Sequence, residues 1–125
     1  MCVDNHRVSP TILIVDDHLA FRSAVRAVLE ADGYEVVGEA GDGRAGLSAA
    51  LALKPDIVLL DVRLPDMDGF AVALHLAATG EGPAVIVTSS SEDPLYPARA
   101  ARSGARGFVA KHDVSGAALE RILAA

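Results

Sequence analysis

The chain has 125 residues, with 11 Lys plus Arg against 17 Asp plus Glu, a formal charge of -6 at pH 7. That balance argues against a phosphate-backbone grip, which needs a surplus of basic side chains, so no nucleic acid is expected to be bound by this domain itself. With 51% hydrophobic and 22% charged residues the composition supports a real core and one domain rather than a disordered chain.

Cys2 is the single cysteine, which rules out an internal disulfide and a cysteine-built metal cluster and favours a reducing compartment. The cytoplasm is the expected location. Apolar runs fall short of the roughly 18 residues that span a bilayer, so no membrane role is expected. Met1 to Pro10 reads as a flexible polar leader and residues 11–125 as the folded unit.

Thr11 to Val15 is a β-branched run that stops at Asp16-Asp17, a strand followed by residues that disfavour strands. Apolar residues from Leu19 to Ala31 recur at helical spacing, and Gly33 supplies the stop. Tyr34 to Glu39 is strand-like, Gly41-Asp42-Gly43 a turn, and Arg44 to Leu53 a helix up to Lys54-Pro55. A third strand runs from Asp56 to Asp61. Leu64 to Gly69 is a loop full of breakers, Phe70 to Ala78 a helix, and Pro83 to Thr88 a fourth strand ending in three serines. Tyr96 to Ser103 gives a short helix, Gly104 to Ala110 a fifth strand, and Val114 to Ala125 a last helix.

Strict alternation with short connections implies parallel strands joined by right-handed helical crossovers. Ile57 to Leu60 and Val85 to Val87 are apolar on both faces, as strands covered on both sides must be. The expected fold is a doubly wound α/β sheet of five parallel strands and five helices.

Sites in such sheets form beyond the carboxyl ends of the strands. If the strand order is 2-1-3-4-5, strands one, three, four and five bring Asp16, Asp17, Asp61, Thr88 and Lys111 to one crevice. Each alone has an ordinary reading as a turn residue, helix cap or surface group. Three gathered carboxylates, however, repel one another unless protons, a cation or Lys111 neutralise them. Oxygen-only ligands suit Mg2+, which also holds phosphate oxygens. A carboxylate can attack phosphorus, and Asp61, on a central strand opposite the acidic pair, is the best-placed nucleophile. Thr88 and Lys111 then lie where they can bind the transferred group.

Ile14-Val-Asp-Asp-His18, Ile57 to Gly69, Val85-Ile-Val-Thr-Ser89 and Gly107-Phe-Val-Ala-Lys111 resemble the receiver domain of bacterial two-component response regulators, over roughly residues 11 to 125. His18 and Val36 to Gly43 are most similar to the NarL/FixJ (LuxR-type) class, which normally precedes a helix-turn-helix domain. The resemblance implies a flavodoxin-like, CheY-like fold and a switch rather than a turnover enzyme. It also implies phosphoryl transfer to Asp61 from a sensor histidine kinase, and Mg2+ held by Asp16, Asp17, Asp61 and the backbone carbonyl of Arg63. Thr88 and Phe108 would move with the phosphoryl group, Lys111 would pair with its charge, and a homodimer on phosphorylation would be compatible with the class.

Two departures stand out. Receivers commonly have a cis proline after the lysine, whereas this chain has His112, for which a trans bond is expected because a non-proline cis bond costs about 3 kcal/mol. Arg63 is a long cation, free to enter the pocket or to solvate outward. It also stands where Mg2+-dependent aspartyl-phosphate phosphatases, the rival reading, carry a second Asp. A stand-alone receiver acting through protein contacts is a further alternative, although excision from a longer regulator is the expectation.

His18 is expected to be a partly exposed polar residue rather than a ligand. Arg99, Arg102 and Arg106 read as a solvated face. Ser89, Ser90 and Ser91 line the pocket entrance without triad partners.

Overall fold

A computed structural model describes residues 9–125. The leader and Cys2 therefore lie almost wholly outside the described residues. The strands are β1 (Thr11–Val15), β2 (Glu35–Ala40), β3 (Ile57–Asp61), β4 (Ala84–Ser89) and β5 (Gly107–Ala110). They alternate with α1 (Leu19–Ala31), α2 (Gly43–Leu53), α3 (Gly69–Ala77), α4 (Tyr96–Arg102) and α5 (Gly116–Ala124). All pairings are parallel and the order is β2-β1-β3-β4-β5, as expected.

Successive strand residues point to opposite faces, and the two halves of each apolar run build two cores. Leu13, Val15, Val58, Leu60, Val85 and Val87 pack with Phe70, Val72 and Ala73 of α3 and with Tyr96 and Ala100 of α4. Ile12, Ile14, Ile57, Leu59, Ile86 and Val109 pack with Val25 and Leu29 of α1 and with Ala118 and Leu119 of α5. One step beyond the second set, the same alternation carries Asp16, Asp61 and Thr88 onto the α1/α5 side at the carboxyl edge. The sheet's pleat thus brings the polar residues together.

Two boundaries differ from the sequence reading by more than one residue. β5 starts at Gly107 because residues 103–105 close α4: the Ser103, Gly104 and Ala105 amides all donate to carbonyls of residues 99–101, with Gly104 at φ +86°. The last helix starts at Gly116, since Lys111–Asp113 forms a 3-10 turn and the Ser115 side chain accepts from the Ala118 amide as N-cap. Described peptide bonds are all trans, Lys111–His112 included. No helix among the described residues is long and apolar enough to cross a membrane.

Candidate functional site

Asp16 is fully buried at the end of β1. Its amide donates to the Ala40 carbonyl at 2.9 Å, and its Oδ1 accepts from the His18 amide at 2.8 Å. Its Oδ2 lies 2.6 Å from Lys111 Nζ. That contact is an ion pair to a fully buried carboxylate. Lys111 Nζ also donates to Asp61 Oδ2 at 3.3 Å and sits 4.6 Å from the centre of the Phe21 ring, so α1 supplies an aromatic floor for the ammonium.

Asp61 is 4% exposed, with its Oδ1 accepting from the Arg63 amide at 3.4 Å. Burial, and after it the Asp16 carboxylate, push the Asp61 carboxyl above the ordinary carboxylate range, against the opposing pull of Lys111. Thr88 lies in register with Asp61 on the neighbouring strand. Its hydroxyl is buried and has no hydrogen-bond partner. A buried orphan hydroxyl beside a buried carboxylate is costly, and such groups persist where a ligand completes them.

Asp17 is exposed at the rim. His18 is also exposed, as expected, yet its Nδ1 lies 3.2 Å from Asp16 and 3.1 Å from Asp17. One donor atom each from Asp16, Asp17, His18 and Asp61 lie within 4.8 Å of one another. Three carboxylates against one ammonium leave local negative charge, and this oxygen-rich donor set fits a hard divalent cation. The Arg63 side chain is exposed and solvates outward, its backbone bridging to Asp68 across the loop.

Phe108 is not in the acidic crevice. It pairs with Val87, whereas Thr88 pairs with Val109. The half-buried Phe108 ring packs on the α3/α4 core with its centre 6.0 Å from that of Tyr96. Arg99 lies 4.3 Å over the Phe70 ring and 3.6 Å from Asp68, while Arg106 donates to the Leu123 carbonyl. Ser89 is buried, its hydroxyl accepting from the Ser91 amide.

Residues 61–69 are more tightly held than a run of breakers suggests. Asp66 accepts from the Gly43 and Arg44 amides at 2.7 and 3.0 Å, fastening this loop to the first turn of α2, and Asp68 caps α3 through the Phe70 amide. Arg22, unremarked in the sequence, donates from its guanidinium to the Asp16 carbonyl and to Glu39. Only an i, i+4 or i, i+3 charge pair on α1 is visible in a linear reading, and these contacts are long-range.

Five parallel strands with an Asp-rich crevice, a lysine and a hydroxyl at their carboxyl ends define a receiver-type α/β domain. The response regulator receiver domain family model matches residues 12–123, and the chain belongs to that family. BvgA, a transcription regulator of virulence factors in Bordetella pertussis, is 40% identical over 102 residues, covering 82% of this chain and 49% of BvgA. The chain spans about half the length of the curated relatives it matches. The signal receiver domain of NarL from Mycobacterium tuberculosis superposes with TM-score 0.85 at 32% identity, covering 94% of this chain and 99% of that one. A LuxR-family two-component response regulator from Aurantimonas gives 0.80 at 26%, covering 93% and 84%. These likenesses agree with the NarL/FixJ-type motifs.

Proposed function

We propose that this chain is a phosphorylatable switch in which Asp61 accepts a phosphoryl group. The observation that carries the reading is the buried Asp61 carboxylate grouped with Lys111 and an acidic pair, with the unpartnered Thr88 hydroxyl on the neighbouring strand. Asp16, Asp17, Asp61 and the Arg63 carbonyl would hold Mg2+, which when bound supplies charge neutralisation for the carboxylates and phosphoryl oxygens. In the transfer, a carboxylate oxygen of Asp61 attacks phosphorus. The P–N bond of a phosphohistidine on a sensor kinase breaks, the imidazole nitrogen keeps the electron pair, and an acyl phosphate forms. Lys111 faces the added charge, and Thr88 donates to a phosphoryl oxygen. Slow attack of water on phosphorus restores the carboxylate, so the domain is a switch with no separate substrate.

The output is proposed to be transcription through a DNA-binding domain elsewhere, as the regulators it resembles suggest, with dimerisation on phosphorylation and a cytoplasmic setting. Arg63, exposed where a phosphatase would place an acid/base Asp, weighs against the phosphatase reading.

Incubation of the protein with acetyl phosphate and Mg2+ should add one phosphoryl group at Asp61, seen by mass spectrometry after borohydride trapping of the acyl phosphate. Asp61→Asn should abolish it. Label found on Ser89 or His18 in the unsubstituted protein would overturn the mechanism.

Thr88→Ala should permit phosphorylation yet blunt the response. The added group brings roughly -2 of charge, and Thr88 and Lys111 are the nearest groups to answer it. Movement of β4 toward the phosphate vacates space that Phe108, on the adjacent strand, can enter. NMR shifts on the fluoroberyllate-bound protein should extend through α4, β5 and α5. Shifts confined to the Asp61 loop would show that this receiver signals through another surface.

A further inference from the structure

Behind the acidic crevice, charged side chains of α1 and β2 form a connected set of contacts that ends on the Asp16 carbonyl. Beyond Val15, Asp16 keeps one ladder bond, from its amide to Ala40, while its carbonyl is taken by the Arg22 guanidinium instead of a strand. That carbonyl belongs to the Asp16–Asp17 peptide plane, so whatever fixes it also fixes the position of the Asp17 Cα from which that side chain departs. Arg22 would ordinarily sample many rotamers. Here its Nε is held by Glu39 Oε1 at 2.9 Å, and the other Glu39 oxygen is held by Arg26 Nη1 at 2.6 Å. Arg22 and Glu39 side chains are only 16% and 21% exposed, so the pair is shielded more than a surface ion pair. The Arg26 guanidinium, and less strongly Arg22, holds the Glu39 carboxyl below its ordinary range.

We propose that Arg22, aimed by Glu39, is a positioning residue that sets the Asp16–Asp17 peptide and thereby the geometry in which the acidic pair receives a divalent cation. The inference rests on the cation-assisted phosphoacceptor reading above and extends it to β2 and α1. Neither residue touches the cation or the phosphoryl group. Their effect passes through one backbone carbonyl, in the way that outer partners of metal ligands act on affinity.

The test is a Mg2+ titration of the full chain, followed by calorimetry and by the amide resonances of residues 16–18, with stability measured in chelator. Arg22→Ala should weaken Mg2+ binding about tenfold and displace the Asp16 and Asp17 amides already in the cation-free protein. Arg22→Lys, which keeps a donor able to reach the carbonyl but not the paired contact to Glu39, should recover part of the affinity and lose its dependence on Glu39. Glu39→Ala, remote from the crevice, should also weaken binding, and in the Arg22→Ala background it should add nothing. Glu30→Ala, which removes only the exposed partner of Arg26, should leave affinity unchanged.

Unsubstituted protein that binds Mg2+, with Arg22→Ala binding equally well, would overturn this inference alone. So would full additivity of the Arg22 and Glu39 losses, which would mean that Glu39 does not act through Arg22. Unsubstituted protein that takes neither Mg2+ nor phosphate would overturn the functional reading together with it.

Discussion

In metal-free buffer, Lys111→Met should destabilise the protein by about 3 kcal/mol or more, whereas Asp61→Asn should stabilise it. Lys111 is the one ammonium held between Asp16 at 2.6 Å and Asp61 at 3.3 Å, with 13% of its side chain exposed. Removing it leaves two buried carboxylates facing each other, and methionine keeps the contact with Phe21 while withdrawing the charge. Asp61 is the reverse case. Its carboxyl is raised by burial and by Asp16, so the folded state holds the proton more tightly than the unfolded chain does. The contribution of Asp61 to stability is therefore present at low pH. It is lost as pH rises from the ordinary carboxylate value of about 4 through the higher folded value. Asparagine removes the charge and with it the loss. Thermal unfolding in chelator, taken as the difference between the unsubstituted protein and Asp61→Asn across pH, should show the variant gaining as pH rises. A variant less stable at every pH would mean that the pairing with Lys111 outweighs desolvation and repulsion.

That trade explains why the site was legible from the sequence at all. Asp16, Asp17, Asp61, Thr88 and Lys111 each break an apolar strand run at its carboxyl end, and a local rule broken at several strand ends in one sheet is the mark of a site rather than of a turn. The five strands were equally plain, because β-branched runs flanked by Asp, Gly and Pro have few other readings. What the sequence did not carry lies in contacts between elements. Arg22 reaches Asp16 and Glu39 only because α1 lies along β1 and β2, and Phe21 reaches Lys111 only because α1 and the end of β5 share a face. Asp66 appeared as one breaker among several, although its carboxylate ties the loop after Asp61 to α2. The start of β5 was placed three residues early because the end of α4 consumes those residues in its own termination, which spacing alone does not reveal.

Gly69→Ala should cost about 3 kcal/mol, the upper range for forcing an atom into a packed interior, and should slow phosphoryl uptake as well. The loop that carries Asp61 closes on itself at a neck. The Gly69 amide donates to the Val62 carbonyl at 2.7 Å, and Arg63 bridges to Asp68 across it. A Cβ on Gly69 would lie 2.1 Å from the Asp61 carbonyl oxygen and 2.8 Å from Val62 Cα. Both obstacles are backbone, so no side-chain rotation relieves the clash. The neck must open, and in opening it moves the peptide that anchors Asp61. Gly80→Ala makes the contrast. At φ +76° it carries backbone strain of about 1 kcal/mol for a residue with a Cβ, but nothing lies within 4 Å of the added atom. Urea unfolding should therefore separate the two variants by about 2 kcal/mol, with acetyl phosphate uptake impaired only in Gly69→Ala. Equal midpoints, and equal uptake, would show that the neck yields without moving Asp61.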